Sequence, residues 1–274
     1  PPWWYNRHLV AIIQFGKRFN LNYHEERFVH EDNSNFTIKW YPRKPLDNEC
    51  FRVCVFVPGL GSLSTDNYVT QFIRTLCDDG YICVVITPRG HETPLNTHKV
   101  WHPAIVDDTI YMLQHLSQRY SNAKIFLAGY SAGSNIVHNT LLTLLTSGSN
   151  KIQIYGVFCC CVNWCYSGIF YSSLLSHQVK RILSNTMHHI EAEHGENVKH
   201  SLSQSYFISE IDHVTSRIYG FSSVEEMYEV YSSLKRYCQQ TKHSPCANSN
   251  SNSSSPSLCP IFLLQPSDDP LHQL

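Results

Sequence analysis

Gly129-Tyr130-Ser131-Ala132-Gly133 is the stretch of this chain best equipped for covalent chemistry. The apolar run Ile125-Phe126-Leu127-Ala128 precedes it, and Asn135-Ile136-Val137 opens a helix-like segment behind it. A strand, a Gly-x-Ser-x-Gly turn and a helix make a nucleophile elbow. So tight a turn needs small residues two before and two after the serine. It holds the serine backbone in strain and lifts Oγ above the sheet edge. The helix behind aims free N–H groups and the positive end of its dipole at the same point. The pattern predicts a nucleophilic Ser131 and serine-hydrolase chemistry; the bland alternative is a surface loop.

A serine hydroxyl at its free pKa is a weak nucleophile and needs a base. The base is normally a histidine held in one tautomer by a carboxylate. In this arrangement the chain order is Ser, then acid, then His. Asp268 and Asp269 follow the late apolar run from Pro260 to Gln265 and stand where the acid belongs. The other place for an acid, after the preceding strand, carries Val162-Asn163 and offers none. Asp269 is chosen because it leaves a short turn to bend the carboxylate back toward the serine. Asp268 could brace that turn through backbone N–H groups, and an Asp-rich turn can also be purely local. The oxyanion of a tetrahedral intermediate needs two backbone donors. Ala132 N–H is one by construction. Leu60 N–H, in the loop Pro58-Gly59-Leu60-Gly61-Ser62, is expected to be the other. The base is not assigned. His272 is the one histidine after Asp269 and shares its loop. His188, His189, His194, His200 and His213 precede the acid, and nothing in their spacing selects one. The expectation is a chain that ends before its catalytic histidine and lacks turnover by itself.

The elements that must position these residues alternate. Phe36 to Tyr41 reads as a first strand, and Phe51 to Val57 and Tyr81 to Thr87 as the next two. Tyr68 to Cys77 has helical spacing between them. Pro103 to Tyr120 reads as a helix, with Pro103 in its first turn and Val106, Ile110 and Leu113 on one stripe. Strand Lys124 to Leu127, helix Ser134 to Leu145 and strand Ile152 to Cys161 follow. Strands apolar on both faces and separated by helices call for an α/β fold with a mostly parallel, covered sheet. The core is placed at 1–161 and 258–274. Residues 162–246 show helical stripes, such as Val179 with Leu183 and Val224 with Met227, and read as an inserted lid over the strand ends. Ala247 to Ser257 is Ser/Asn-rich and reads as a disordered loop.

Composition narrows the rest. A net charge of -1 leaves no basic footprint for nucleic acid. The 11 cysteines are odd in number and scattered, so a disulfide framework is not indicated. Cys159-Cys160-Cys161 on a strand alternates faces and cannot act as one zinc site. Neither a metal nor an organic cofactor is expected. No run of 18 apolar residues offers a membrane span.

Taken in order, the motifs resemble the AB hydrolase 4 family, the alpha/beta-hydrolase-domain proteins one, two and three and their bacterial relatives. Pro58-Gly59-Leu60-Gly61-Ser62 with Tyr68 is similar to its His-Gly-Leu-x-Gly-Ser…Tyr loop. Trp3-Trp4 with His8-Leu9, Arg89-Gly90-His91, Asp107, Gly129 to Asn135, Asp212 with Gly220-Phe221, and Asp268-Asp269-Pro270 resemble further family segments. Pro58 in place of His, and Ala132 and Ser134 around the elbow, depart from the commoner residues. The resemblance implies an alpha/beta-hydrolase fold, Ser131 as nucleophile, Asp269 as acid and a histidine beyond Leu274. It implies an esterase or lipase acting on acylglycerols or phospholipids, with an acyltransferase as the alternative. It also implies possible membrane association through a segment upstream of Pro1, and a cytoplasmic protein if that segment is lacking. A non-catalytic hydrolase scaffold is the reading if the histidine is truly absent.

Overall fold

The computed structural model describes residues 19–30, 33–47, 49–93, 95–103, 105–147, 152–161, 172–184, 186–232 and 259–264. Seven strands form one sheet: β1 (His24–Val29), β2 (Asn35–Tyr41), β3 (Arg52–Val57), β4 (Tyr81–Thr87), β5 (Lys124–Tyr130), β6 (Ile154–Cys160) and β7 (Ile261–Leu264). Their order is β1-β2-β4-β3-β5-β6-β7. The β1–β2 and β2–β4 pairs are antiparallel, and every later pair is parallel. This is the α/β class expected, with a strand the sequence reading missed. In β1, Phe28 is buried while its neighbours are mostly polar and exposed, so the segment carries little apolar signal.

Alternation within the central strands builds two cores. Val53, Val55 and Val57 of β3 and Ile82, Val84 and Ile86 of β4 point to one face. Cys54, Phe56, Cys83 and Val85 point to the other. Period-two side chains on both faces must be covered on both faces. Helix α1 (Asn67–Asp78) covers the second face through Val69 and Ile73. Helices α2 (Asp107–Arg119) and α3 (Ala132–Thr146) cover the first through Met112, Leu113, Leu116, Ile136, Val137 and Leu141.

Helix α2 corrects one expectation. It begins at Asp107, not near Pro103, and its buried stripe is Thr109, Met112, Leu113 and Leu116. Val106 and Ile110 are only half-buried. The residues before Asp107 are held elsewhere: His102 is buried and Ile105 N–H closes a turn on His102 O at 2.9 Å.

After β6 come α4 (Ser172–Ser184), α5 (Met187–His194), α6 (Glu196–Gln204), α7 (Ile208–Ile218) and α8 (Val224–Tyr231). Leu183, Ile190, Leu202, Ile211, Val214 and Ile218 form a third core with Val100. Thr186 Oγ1 donates to Thr97 O at 2.8 Å, and Tyr219 Oη donates to Val100 O. These helices therefore dock on the loop that follows β4. The Ser/Asn-rich stretch read as a disordered loop, together with Asp268 and Asp269, lies outside the described residues.

Asp212 gives this helical segment a pH dependence. It is buried and accepts a 2.6 Å hydrogen bond from Tyr228 Oη. Burial outweighs that bond and raises the carboxyl to about 6. The folded value lies above the unfolded one, so the folded state holds the proton more tightly. The contribution is complete below the ordinary Asp range and is lost as pH rises through about 6. A two-unit shift is worth on the order of 2–3 kcal/mol at most. Asp212→Asn should flatten this part of the stability profile between roughly pH 4 and 7. Urea midpoints of both proteins across that range check it; parallel profiles would show that Asp212 is not the group.

Candidate active site

The register of β3 and β5 brings the two candidate loops together. Val57 pairs with Gly129, so Pro58-Gly59 and Tyr130-Ser131 leave the sheet side by side. Strand β3 lies between β4 and β5, and here the strand order reverses. Open α/β sheets place ligands outside the carboxyl ends of strands at such a reversal.

Ser131 has φ 52° and ψ -122° and stands at the N-cap of α3. A non-glycine residue here carries strain of order 1–3 kcal/mol. The surroundings hold it there. Ser131 N–H donates to Cys160 O at 2.8 Å, and Ser131 O accepts from Ser134 N–H at 2.9 Å. A Cβ on Gly129 would lie 2.5 Å from Gly133 O, and one on Gly133 would lie 2.1 Å from Val57 O. Both small residues are thus demanded by backbone contact. Ser134, one of the departures from the family pattern, ties the elbow to the sheet. Its Oγ lies 2.6 Å from Gly129 O and 2.7 Å from Cys160 O, and accepts from Cys160 N–H at 3.0 Å.

The loop beside Ser131 is held at almost every N–H. Gly59 N–H donates to Tyr68 Oη at 3.0 Å, Gly61 N–H to His91 Nε2 at 3.1 Å, and Ser62 N–H to Gly59 O at 3.1 Å. Leu63 N–H donates to Asp66 Oδ2 at 2.9 Å. Among the described residues, Leu60 N–H and Ala132 N–H have no acceptor. The first N–H groups of a helix lack intrahelical partners, which accounts for Ala132. The ideal Cβ position of Gly59 is 3.5 Å from Ser131 Cβ, so the loop and the serine are in contact range. Beneath them Tyr68, Phe72 and Phe158 pack around Tyr130, with ring centroids 5.2, 6.0 and 6.1 Å away.

The sequence matched Arg89-Gly90-His91 and Asp107 to family segments but gave them no role in this site. Arg89 is buried and its Nε donates to Asp108 Oδ2 at 2.8 Å, with a second bond from Nη2 to Oδ1. Asp107, the residue matched to the family pattern, is exposed in the first turn of α2. The carboxylate that does the holding is its neighbour. The signal available was only a doubled aspartate, and helix phase decides which of the two faces inward. His91 is half-buried beside Trp101, with ring centroids 5.1 Å apart. Burial pulls its pKa down to about 4, keeping the imidazole neutral. Glu92 accepts from Ser64 N–H and pairs with Lys39. Gly90 has φ +79°, and its Cβ position would meet Ile182 Cγ2 of α4 at 3.0 Å.

Among the described residues, no group of three or more His, Cys, Asp or Glu could hold a metal ion, and no helix is long and apolar enough to cross a membrane.

The arrangement has known relatives. Abhydrolase domain-containing protein 2 of Drosophila melanogaster is 25% identical over 224 residues, covering 74% of this chain and 55% of the fly protein. Monoacylglycerol lipase ABHD2 of Homo sapiens is 24% identical over 260 residues, covering 83% of this chain and 55% of the human protein. The chain spans about half the length of these curated relatives. Among solved structures, esterase Est22 aligns with a TM-score of 0.44 and 17% identity over 56% of this chain and 47% of that one. Residues 48–273 match the family described as Hydrolase_4, Serine aminopeptidase, S33. That match runs from β3 through the elbow to the end of the sheet, and the chain belongs to this family of alpha/beta hydrolases.

Proposed function

We propose that the complete protein hydrolyses carboxylic esters, with acylglycerol or phospholipid acyl chains as substrates, through an acyl-enzyme on Ser131. The observation that carries this reading is the strained Ser131 backbone, φ 52°, at the junction of β5 and α3. Strain of this kind persists only where neighbouring structure imposes it, and it gathers at functional sites.

In this reading Ser131 Oγ attacks the ester carbonyl while a histidine takes its proton. The carbonyl π-bond pair moves to oxygen, and Leu60 N–H and Ala132 N–H receive that charge. Collapse expels the alcohol, which takes the proton back from the histidine. Water then repeats the sequence and frees the acid. Asp269 orients that histidine. The helices docked on Thr97 and Val100 serve as the lid of the acyl pocket. The monoacylglycerol lipase relatives support a lipid substrate, and membrane association through a segment upstream of Pro1 belongs to the same proposal.

A fluorophosphonate probe should label the complete protein at Ser131, mapped by peptide mass spectrometry. No adduct on folded protein would overturn the reading. Incubation of a monoacylglycerol with a competing alcohol separates hydrolysis from transfer: free acid is expected, and a new ester would make the protein an acyltransferase. The acid is tested by a pair of variants. Asp269→Asn should lower turnover roughly 10⁴-fold through loss of the correct histidine tautomer. Asp268→Asn should cost far less, and the reverse order would exchange their roles.

A further inference from the structure

We propose that His91 is a positioning residue for the oxyanion loop: its unprotonated Nε2 takes the Gly61 N–H and leaves the neighbouring Leu60 N–H facing Ser131. The inference rests on the esterase reading and adds a residue that the triad does not include.

Neighbouring peptide groups in a tight loop rotate together, so fixing Gly59 and Gly61 fixes the peptide of Leu60. Gly59 N–H is fixed on Tyr68 Oη at 3.0 Å and Gly61 N–H on His91 Nε2 at 3.1 Å. Gly61 itself has φ 70°, a conformation open to glycine at little cost, so the backbone alone does not hold it. The acceptor on the far side does.

An imidazole nitrogen accepts only when it carries no proton, and the neutral ring must then carry its proton on Nδ1. Nδ1 lies 3.4 Å from Arg89 O, which suits that tautomer. His91 N–H also closes a turn on Pro88 O at 3.1 Å, and the Arg89–Asp108 pair anchors the same turn to α2. The charged groups that face the ring are Glu92, which favours protonation, and Arg181 of α4, which opposes it together with burial. Protonated at Nε2, His91 would present a donor to the donor of Gly61 and release the loop.

The test uses the complete protein and two substitutions. His91→Phe keeps a ring against Trp101 but has no acceptor. His91→Gln can place Oε1 near the position of Nε2 and accept the same N–H. His91→Phe should lower kcat for a monoacylglycerol roughly 10- to 100-fold with KM little changed, and His91→Gln should recover most of it. Rates for His91→Phe equal to wild type, or His91→Gln as slow as His91→Phe, would overturn the proposal. Long-range ¹⁵N spectra of the histidines read the tautomer independently of turnover and of whether His91→Phe folds. The signal lost in His91→Gln should come from a ring protonated at Nδ1 and bare at Nε2. A ring protonated at Nε2 at neutral pH overturns the proposal whatever the rates. Failure of the esterase reading is distinguishable: wild type would then neither take up fluorophosphonate nor turn over esters, and the proposal would go with it.

Discussion

Replacing Ser131 with alanine should cut ester turnover by the complete protein at least ~10⁴-fold while leaving its fold and melting temperature close to wild type. The two halves of that expectation have separate causes. Turnover depends on an acyl-enzyme, and alanine has no oxygen with which to form one. Stability depends on what the hydroxyl does in the fold, and no hydrogen bond from Ser131 Oγ to another described residue contributes. The contacts that hold this position are made by backbone: Ser131 N–H to Cys160 O and Ser131 O to the first turn of α3. Alanine keeps both. The strained φ costs alanine about as much as serine, because both carry a Cβ. Some rate above the uncatalysed reaction should remain, since an oxyanion hole works without the nucleophile. Turnover within about tenfold of wild type would reject Ser131 as nucleophile. Lost turnover accompanied by unfolding would instead mean that the hydroxyl is structural.

The elbow was legible from sequence because every requirement on it is local. A tight strand-to-helix turn needs its small residues at fixed offsets from the serine, so five consecutive residues report the geometry. The central strands were legible for a related reason: buried on both faces, they read as continuous apolar runs in β3, β4 and β5. What escaped was set by tertiary partners. Strand β1 is a polar strand that exists because β2 pairs with it. Helix α2 starts four residues after Pro103, since the preceding residues are bound into the loop after β4. The choice of Asp108 over Asp107 depends on which face of α2 meets Arg89. His91 reads in sequence as one of 16 histidines. Its role depends on a loop 30 residues earlier in the chain. The helices after β6 were visible as apolar stripes, but their division into α4 to α8 was not, because short helices leave too few turns for a period to show.

Gly133→Ala should be the most destabilising glycine-to-alanine change in the described part of the chain, costing more than ~3 kcal/mol. The added Cβ would lie 2.1 Å from Val57 O, 2.5 Å from Pro58 O and 2.8 Å from Val57 C. All three are backbone atoms at the end of β3, which is hydrogen-bonded to β4 on one side and β5 on the other. They cannot turn aside as a side chain would. Relief would require α3 to lift from the sheet, and α3 carries Ile136, Val137 and Leu141 in the main core. Gly59→Ala is the matched control. Its Cβ would meet Tyr130 O at 3.4 Å, Ser131 Cβ at 3.5 Å and Tyr68 Oη at 3.6 Å, which are ordinary contacts. It should fold with nearly wild-type stability and lose activity only by crowding the serine. Urea unfolding of the two variants beside wild type checks the contrast. A Gly133→Ala protein as stable as Gly59→Ala would mean that the β3 loop and the elbow do not meet as described. The proposed oxyanion hole of Leu60 N–H and Ala132 N–H beside Ser131, on which the esterase reading depends, would fall with it.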